Sequence, residues 1–126
     1  MVQRQFESER VTNFPHFGYI IEVNLDPVVG SEIGKRRPAI VVSNDINNRY
    51  AQTITIIPLT SQPSKKSYPF QVLLPKGTGG LPLESTAKCN QIRTIDQSRI
   101  TAIKDKLPPS YLKEVEKALK IHLNLS

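Results

Sequence analysis

Five short runs of β-branched and other apolar residues set the strongest limit on what this chain can fold into. Valine, isoleucine, threonine and aromatic residues favour pleated strands, and the prolines and glycines between the runs favour turns. The sequence holds ten prolines, which disfavour a helical bundle because proline breaks a helix interior. The predicted strands are Tyr19–Leu25, Pro38–Ser43, Gln52–Leu59, Tyr68–Leu74 and Ser85–Ile95.

The C-terminal segment is the one stretch with strong helical periodicity. Leu112, Val115 and Leu119 recur at helical spacing within Ser110–Leu123, and charged residues mostly occupy the other side. A shorter helix is predicted over Gln97–Ile100. Five strands and one long helix predict a mainly β fold, namely a small twisted β-barrel with short helices and a closing C-terminal α-helix.

The chain length of 126 residues fits a single domain. Residues 1–16 are polar and charged without clear periodicity. They are predicted to form an extension, either flexible or added as an edge strand, before a domain that covers residues 17–126. A formal net charge of +6 favours a polyanionic partner such as nucleic acid.

The content of cysteine and histidine gives the expected compartment and chemistry. Cys89 is the single cysteine, so it forms no internal disulfide, and with two scattered histidines it makes no metal site. Neither a metal nor another cofactor is predicted. A signal peptide and a membrane helix are not expected, because the N-terminal region has no long apolar run. We therefore predict a reducing, cytoplasmic location and no membrane partner.

Residues 30–38 place one carboxylate and three consecutive cations at the mouth of a buried strand. Arg37 precedes a proline, which favours an extended backbone, and its planar fork of donors suits phosphate oxygens. Lys35 and Arg36 add positive potential. Glu32 either orients Arg37 through an ion pair or accepts a proton. The alternative is a solvated turn whose exposed ion pair contributes only about 0–1 kcal/mol.

Polar residues in two further places have both a functional and a structural interpretation. Thr60 closes the third predicted strand, just before a basic loop with Lys65 and Lys66. Its hydroxyl either contacts a substrate or merely caps the strand. Asn90 and Gln91 lie within the fifth predicted strand, and their amides either read base edges or satisfy a structural hydrogen bond. The residues alone leave both questions open.

Three segments together resemble the MazF/PemK family of toxin endoribonucleases. Asp26–Pro38 resembles the family's DPxxGSEQxxxRP loop, Ile57–Ser61 its PhTS strand end and Cys89–Asp96 its CDQhRThD motif, where h is hydrophobic. The order and the separations also agree, and the resemblance spans roughly residues 17–123. The chain departs from the motifs at Ile33, where the family has glutamine, and at Asn90, where it has aspartate.

The resemblance implies an SH3-like form of the barrel, a homodimer, and a toxin held silent by an acidic, partly disordered antitoxin segment. It also implies metal-independent, sequence-specific cleavage of single-stranded RNA through the ribose 2′-hydroxyl, which leaves 2′,3′-cyclic phosphate and 5′-hydroxyl ends and inhibits translation. The catalytic residues that it implies are Arg37, Thr60 and Glu32. The RNA-binding residues that we predict are Lys35, Arg36, Ser61, Lys65, Lys66, Lys88, Asn90 and Gln91.

The competing hypothesis is a non-catalytic toxin on the same fold, which binds nucleic acid or inhibits gyrase as the related CcdB toxins do. Ile33 and Asn90 favour it, because the Asn90 amide cannot take up a proton as a carboxylate can. A structural or adaptor SH3-like domain is disfavoured. The chain has no tryptophan and no obvious set of aromatic residues for a polyproline groove.

Overall fold

The fold is dominated by one sheet, in keeping with the β-branched runs of the sequence. The computed structural model describes residues 14–62 and 67–126. Neither of its two α-helices, α1 (Asp45–Tyr50) and α2 (Pro109–His122), is long and apolar enough to cross a membrane. The mainly β class and the C-terminal helix are confirmed. The strands are β1 (Tyr19–Asn24), β2 (Arg36–Val41), β3 (Thr53–Thr60), β4 (Gln71–Leu74), β5 (Ser85–Lys88), β6 (Arg93–Asp96) and β7 (Ile100–Lys106).

All seven strands join one antiparallel sheet. Its hydrogen-bonded order is β4–β5–β3–β2–β1–β7, and β3 also pairs with β6. The first half of β3 pairs with β6 and its last two residues pair with β5. The predicted small twisted β-barrel is not closed in the described part of the chain, because β4 and β7 end the order as separate edges. The sheet is open.

Three elements differ from the strands and helices that the sequence predicts. The fifth predicted strand is interrupted by a 3₁₀ turn, Cys89–Gln91, which separates β5 from β6. The helix α1 has no predicted counterpart, and its N-cap Asn44 accepts a hydrogen bond from Asn47 N at 2.8 Å. The edge strand β7 was also not predicted from the sequence. Its side chains are mostly exposed, so main-chain pairing such as Ile21 with Ile103, rather than apolar alternation, defines it.

Two hydrophobic clusters are built from alternating residues of β1, β2 and β3. Ile40 belongs to the first cluster and its neighbour Val41 to the second. Val115 and Ala118 of α2 join the first cluster, and Ile95 of β6 joins the second. Burial on both faces explains why these strands read as nearly continuous apolar runs. The closely packed centre gives a rigid frame to the loops at its ends.

The register between β2 and β3 brings the start of one strand beside the end of the other. Ala39 pairs with Pro58 in this antiparallel ladder. The same register, continued by two residues, sets Arg37 level with Thr60. Two residues singled out in separate sequence motifs therefore lie at the same end of the sheet.

The first described residues pack against the domain. Pro15 is buried. The Nδ1 atom of His16 lies 3.5 Å from a carboxylate oxygen of Asp45, and the backbone N–H of Phe17 donates to the same carboxylate at 2.6 Å. Residues 1–13 of the predicted extension lie outside the described residues.

Cys89 is fully buried in the first cluster, and burial raises the pKa of its thiol from 9.0 to about 12. The folded protein should therefore react with Ellman's reagent at pH 8 far more slowly than the protein unfolded in guanidinium. The unfolded thiol loses its proton at lower pH than the folded one, so the stabilising effect of this group is complete below pH 9.0 and is lost as the pH rises towards 12.

A Cys89→Ala variant provides the control for that pH dependence. Its free energy of unfolding should fall less between about pH 8.5 and 10.5 than that of the wild type, because the other titrating groups are shared. Equal labelling rates for the native and unfolded wild type would contradict the burial of the thiol.

Candidate functional site

An open groove of about 290 Å³ lies where β2 begins and β3 ends, beside the turn that precedes β5. It gathers five of the predicted site residues, which come from two separate motifs. Cations and hydroxyl donors in one concave site suit an anionic ligand such as a phosphate group. The residues that line the groove are Lys35, Arg36, Arg37, Pro38, Leu59, Thr60, Ser61, Gln62, Pro82, Leu83 and Ser85.

The Arg37 guanidinium is held by backbone carbonyls. Its Nε donates to the Gly34 carbonyl at 2.7 Å and its Nη1 to the Leu59 carbonyl at 3.4 Å. Because a guanidinium has five N–H groups, three of them have no partner among residues 14–62 and 67–126. A half-buried cation with a fixed plane and unused donors is preorganised for a phosphate group in the groove.

The loop before β2 is fixed by short contacts of its own. The Asp26 carboxylate accepts a hydrogen bond from Lys35 N at 2.8 Å, and Leu25 N donates to the Lys35 carbonyl at 2.9 Å. A Cβ at Gly34 would lie 2.5 Å from Asp26 Oδ1 and 2.8 Å from Val28 Cγ2. Glycine is therefore the residue that lets the loop close and present its carbonyl to the guanidinium.

Gln91 and Arg99 fasten the same loop from other elements. The Gln91 side chain accepts from Ile33 N at 3.3 Å and donates to the Ser31 carbonyl at 3.5 Å. Arg99 donates to the Asp26 carbonyl at 2.6 Å. The Ile33 side chain packs against the second cluster, so this departure from the motif gives the loop an apolar anchor. The structural interpretation of Gln91 is thus supported, and its contact with RNA stays a prediction.

Glu32 does not form the predicted ion pair with Arg37. Its carboxylate accepts a hydrogen bond from Val29 N at 2.7 Å and closes the tip of the loop. The side chain is exposed and does not line the groove. Its other predicted role, acceptance of a proton, stays a prediction.

Thr60 brings a hydroxyl to the groove at the end of β3. Its Oγ1 accepts a hydrogen bond from Gln62 N at 3.3 Å, so the hydroxyl can still donate its own hydrogen to a ligand. Pairing with Thr86 of β5 holds the backbone at this position. The neighbouring Ser61 adds a second, exposed hydroxyl to the lining.

Three further predicted RNA contacts, Lys88, Asn90 and Gln91, do not line the groove. Lys88 ends β5, where it pairs with Gln71, and Asn90 is exposed in the 3₁₀ turn. Lys65 and Lys66 lie outside the described residues. Among the described residues, the cations that line the groove are Lys35, Arg36 and Arg37, at and just before the start of β2.

The apolar side of the groove was not predicted from the sequence. Pro82 and Leu83 lie in the turn before β5 and Ser85 begins that strand, and none of the three belongs to a motif. The antiparallel pairing of β5 with β3 brings this turn beside Thr60. The spacing of residues along the chain does not show that this turn lies beside Thr60.

Comparisons with known proteins agree with this geometry. Residues 16–123 match the family described as PemK-like, MazF-like toxin of type II toxin-antitoxin system. The chain is 42% identical over 113 residues to endoribonuclease MazF9 of Mycobacterium tuberculosis. The alignment covers 86% of this chain and 95% of that protein. The match to the family includes every residue of the groove.

Solved structures show the same fold. The crystal structure of MazF from Deinococcus radiodurans aligns with a TM-score of 0.76 and 32% identity, over 89% of this chain and 98% of that one. A chain of a MazE–MazF crystal structure from the same organism aligns with a TM-score of 0.72 and 31% identity, over 90% of this chain and 98% of that one.

Proposed function

Because this chain belongs to the PemK-like, MazF-like toxin family of type II toxin-antitoxin systems, we propose that it is an endoribonuclease that cuts single-stranded RNA in the groove. The observation that carries the proposal is the Arg37 guanidinium. It is fixed by two carbonyls, keeps donors that no described residue uses and shares the groove with the Thr60 hydroxyl. Such preorganised donors stabilise negative charge that develops on a phosphate. The related MazF9 carries the name endoribonuclease.

The proposed reaction is an internal transesterification without a metal ion. The ribose 2′-oxygen forms a bond to the adjacent phosphorus while the bond from phosphorus to O5′ breaks, which leaves a 2′,3′-cyclic phosphate and a 5′-hydroxyl. Arg37 acts by charge and position on the non-bridging oxygens, and Thr60 donates to one of them or aligns the 2′-hydroxyl. The nucleophile's proton passes to water or to the Glu32 carboxylate, and O5′ takes a proton from solvent.

RNA binding in this proposal begins with the phosphates that flank the cut. Lys35, Arg36 and Ser61 line the groove beside Arg37 and provide two charges and a hydroxyl. Contacts of this kind bind any sequence and weaken as salt rises. The wider RNA-binding surface that we propose adds Lys65, Lys66, Lys88, Asn90 and Gln91.

The proposed partners follow from the family and from the charge of the chain. A type II system pairs the toxin with an antitoxin, and a net charge of +6 attracts an acidic, partly disordered segment that folds on binding. We place the protein in the cytoplasm as a homodimer. Residues 17–126 form its toxin domain and residues 1–16 an extension.

The direct test is digestion of a long single-stranded RNA by purified protein in EDTA, with both product ends mapped. We expect discrete cuts whose upstream fragments end in 2′,3′-cyclic phosphate and whose downstream fragments begin with a 5′-hydroxyl. Mass spectrometry of the protein sample should confirm that no antitoxin is bound. Intact RNA from such a sample would overturn the proposal.

The non-catalytic alternative loses part of its support in the structure. Ile33 has a structural role in the loop, and Asn90 lies outside the groove that holds Arg37 and Thr60. The CcdB-like form of this alternative predicts inhibition of DNA supercoiling by gyrase. A supercoiling assay with the same sample distinguishes it from RNA cleavage.

Gln91→Ala should lower kcat/KM for a preferred RNA site by about 10-fold, because a loosened loop misplaces Arg37. The matched control is Gln97→Ala. Like Gln91, the Gln97 side chain makes two hydrogen bonds to the backbone; it donates to the carbonyls of Asn48 and Ala51, away from the groove. At a temperature where both variants are folded, we expect the control to cleave like the wild type. Equal cleavage by the two variants would show that Gln91 does not position the loop.

A further inference from the structure

Pro82 and Leu83 form an apolar wall in a groove that is also lined by three cations and the hydroxyls of Thr60, Ser61 and Ser85. Leu83 is 55% exposed, so much of its side chain has no cover from the described residues. A single exposed leucine is ordinary on a protein surface. This one differs because it shares a concave site with the guanidinium and the hydroxyl of the proposed reaction.

The wall is fixed on both sides by buried residues. Leu81 is 2% exposed in the first cluster, and its carbonyl accepts a hydrogen bond from Gly77 N at 2.8 Å. Ser85 is 5% exposed, and its hydroxyl donates to the Leu83 carbonyl at 2.9 Å. Between these anchors, the ring of Pro82 restricts the backbone further. Leu83 is thus held in position before any ligand arrives, which lowers the entropic cost of a contact.

The chemistry of RNA indicates what such a wall contacts. Phosphates are alike at every position, so cations that bind them position the strand without selecting a sequence. Selection needs a contact with a base. Every unpaired nucleobase has an apolar face that packs on an apolar or aromatic side chain, and such contacts are significant in single-strand recognition.

We propose that Leu83, supported by Pro82, contacts the unpaired nucleobase next to the scissile phosphate and helps to determine which bases are accepted there. The inference rests on the proposed function, because it assumes that the groove cleaves RNA. Leu83 is a specificity-determining residue in this scheme and takes no part in proton transfer. The contact is made by shape and apolar area, so the size of the side chain decides how well a given base fits.

The experiment compares cut-site profiles on one long RNA, read by sequencing the 5′ ends of the products, for the wild type, Leu83→Ser and Leu83→Phe. With Leu83→Ser we expect kcat/KM at the preferred sites to fall by a factor of about 10 to 100, and the preference at the bases beside the cut to weaken. With Leu83→Phe we expect a different preference at the same bases. The binding of a short RNA of repeated, non-preferred sequence should change little.

Leu125→Ser is the matched control. Leu125 is 59% exposed, close to the exposure of Leu83, but it lies after α2 and does not line the groove. Its profile should equal that of the wild type. An active wild type whose profile survives both Leu83 substitutions would overturn the inference alone. Intact RNA from the wild type would overturn the proposed function and the inference together. If Leu125→Ser shifted the cut-site profile in the same way as the Leu83 variants, the inference would also be overturned.

Discussion

Arg37→Ala should lower the rate of RNA cleavage by about 100- to 1,000-fold while the protein stays folded. Removal of one preorganised donor from a site of developing negative charge has an effect of this size. The substitution also removes hydrogen bonds to the Gly34 and Leu59 carbonyls. Arg37 itself belongs to neither hydrophobic cluster, so the core that holds the fold is kept. Single-turnover cleavage of a preferred RNA site, with circular dichroism to check the fold, measures the effect.

Two further substitutions separate charge from geometry. Arg37→Lys keeps the charge but loses the planar fork, so its rate should lie between those of the wild type and Arg37→Ala. Arg36→Ala removes a neighbouring, exposed cation of the groove. It should raise KM and make binding less sensitive to salt, with a smaller effect on kcat. A rate for Arg37→Ala equal to that of the wild type would exclude this residue from the chemistry.

Ile57→Ala should lower the free energy of unfolding by about 2–5 kcal/mol. Ile57 has no exposed surface and belongs to the first cluster, which also contains Val115 and Ala118 of α2. Loss of its side chain removes apolar contacts and leaves a cavity in a closely packed core. The midpoint of thermal unfolding should fall by roughly 10 °C for a chain of this length.

The control for this prediction is an isoleucine that lies outside the hydrophobic core. Ile46 in α1 is 76% exposed. Ile46→Ala should therefore change the free energy of unfolding by no more than about 0.5 kcal/mol. Urea unfolding of both variants compares them directly. If Ile57→Ala were as stable as Ile46→Ala, the assignment of Ile57 to the packed core would be wrong.

The central strands could be predicted from the sequence because buried strands are rich in apolar and β-branched residues. β3 is almost continuous in β-branched and apolar residues, and both of its faces are covered. β7 gives no such signal, since most of its side chains are exposed and its pairing with β1 runs through main-chain groups. The 3₁₀ turn at Cys89–Gln91 was also missed. Strand-forming residues such as Thr86, Ile92 and Thr94 stand on both sides of it, so the segment reads as one strand although the backbone does not stay extended.

The site could be predicted only where its residues stand in motifs. Arg37 and Thr60 were identified from two separate motifs, and the register of β2 with β3 brings them into one groove. Leu83 was missed because its place depends on the pairing of β5 with β3. Of the two roles that the sequence leaves open for Glu32, the ion pair with Arg37 is not formed, because the carboxylate accepts a hydrogen bond from Val29 N instead. Local hydrogen bonds of short loops compete with longer-range partners in ways that spacing does not show.

The two carbonyls that hold Arg37 have an evolutionary consequence. A backbone oxygen is present whatever the side chain, so most substitutions at Leu59 that keep the strand intact would leave that support in place. Mutational drift can therefore alter the walls of the groove, including Leu83, without dismantling the group that faces the phosphate. A scaffold of this kind can acquire a new target sequence in small steps, each of which retains a working catalyst.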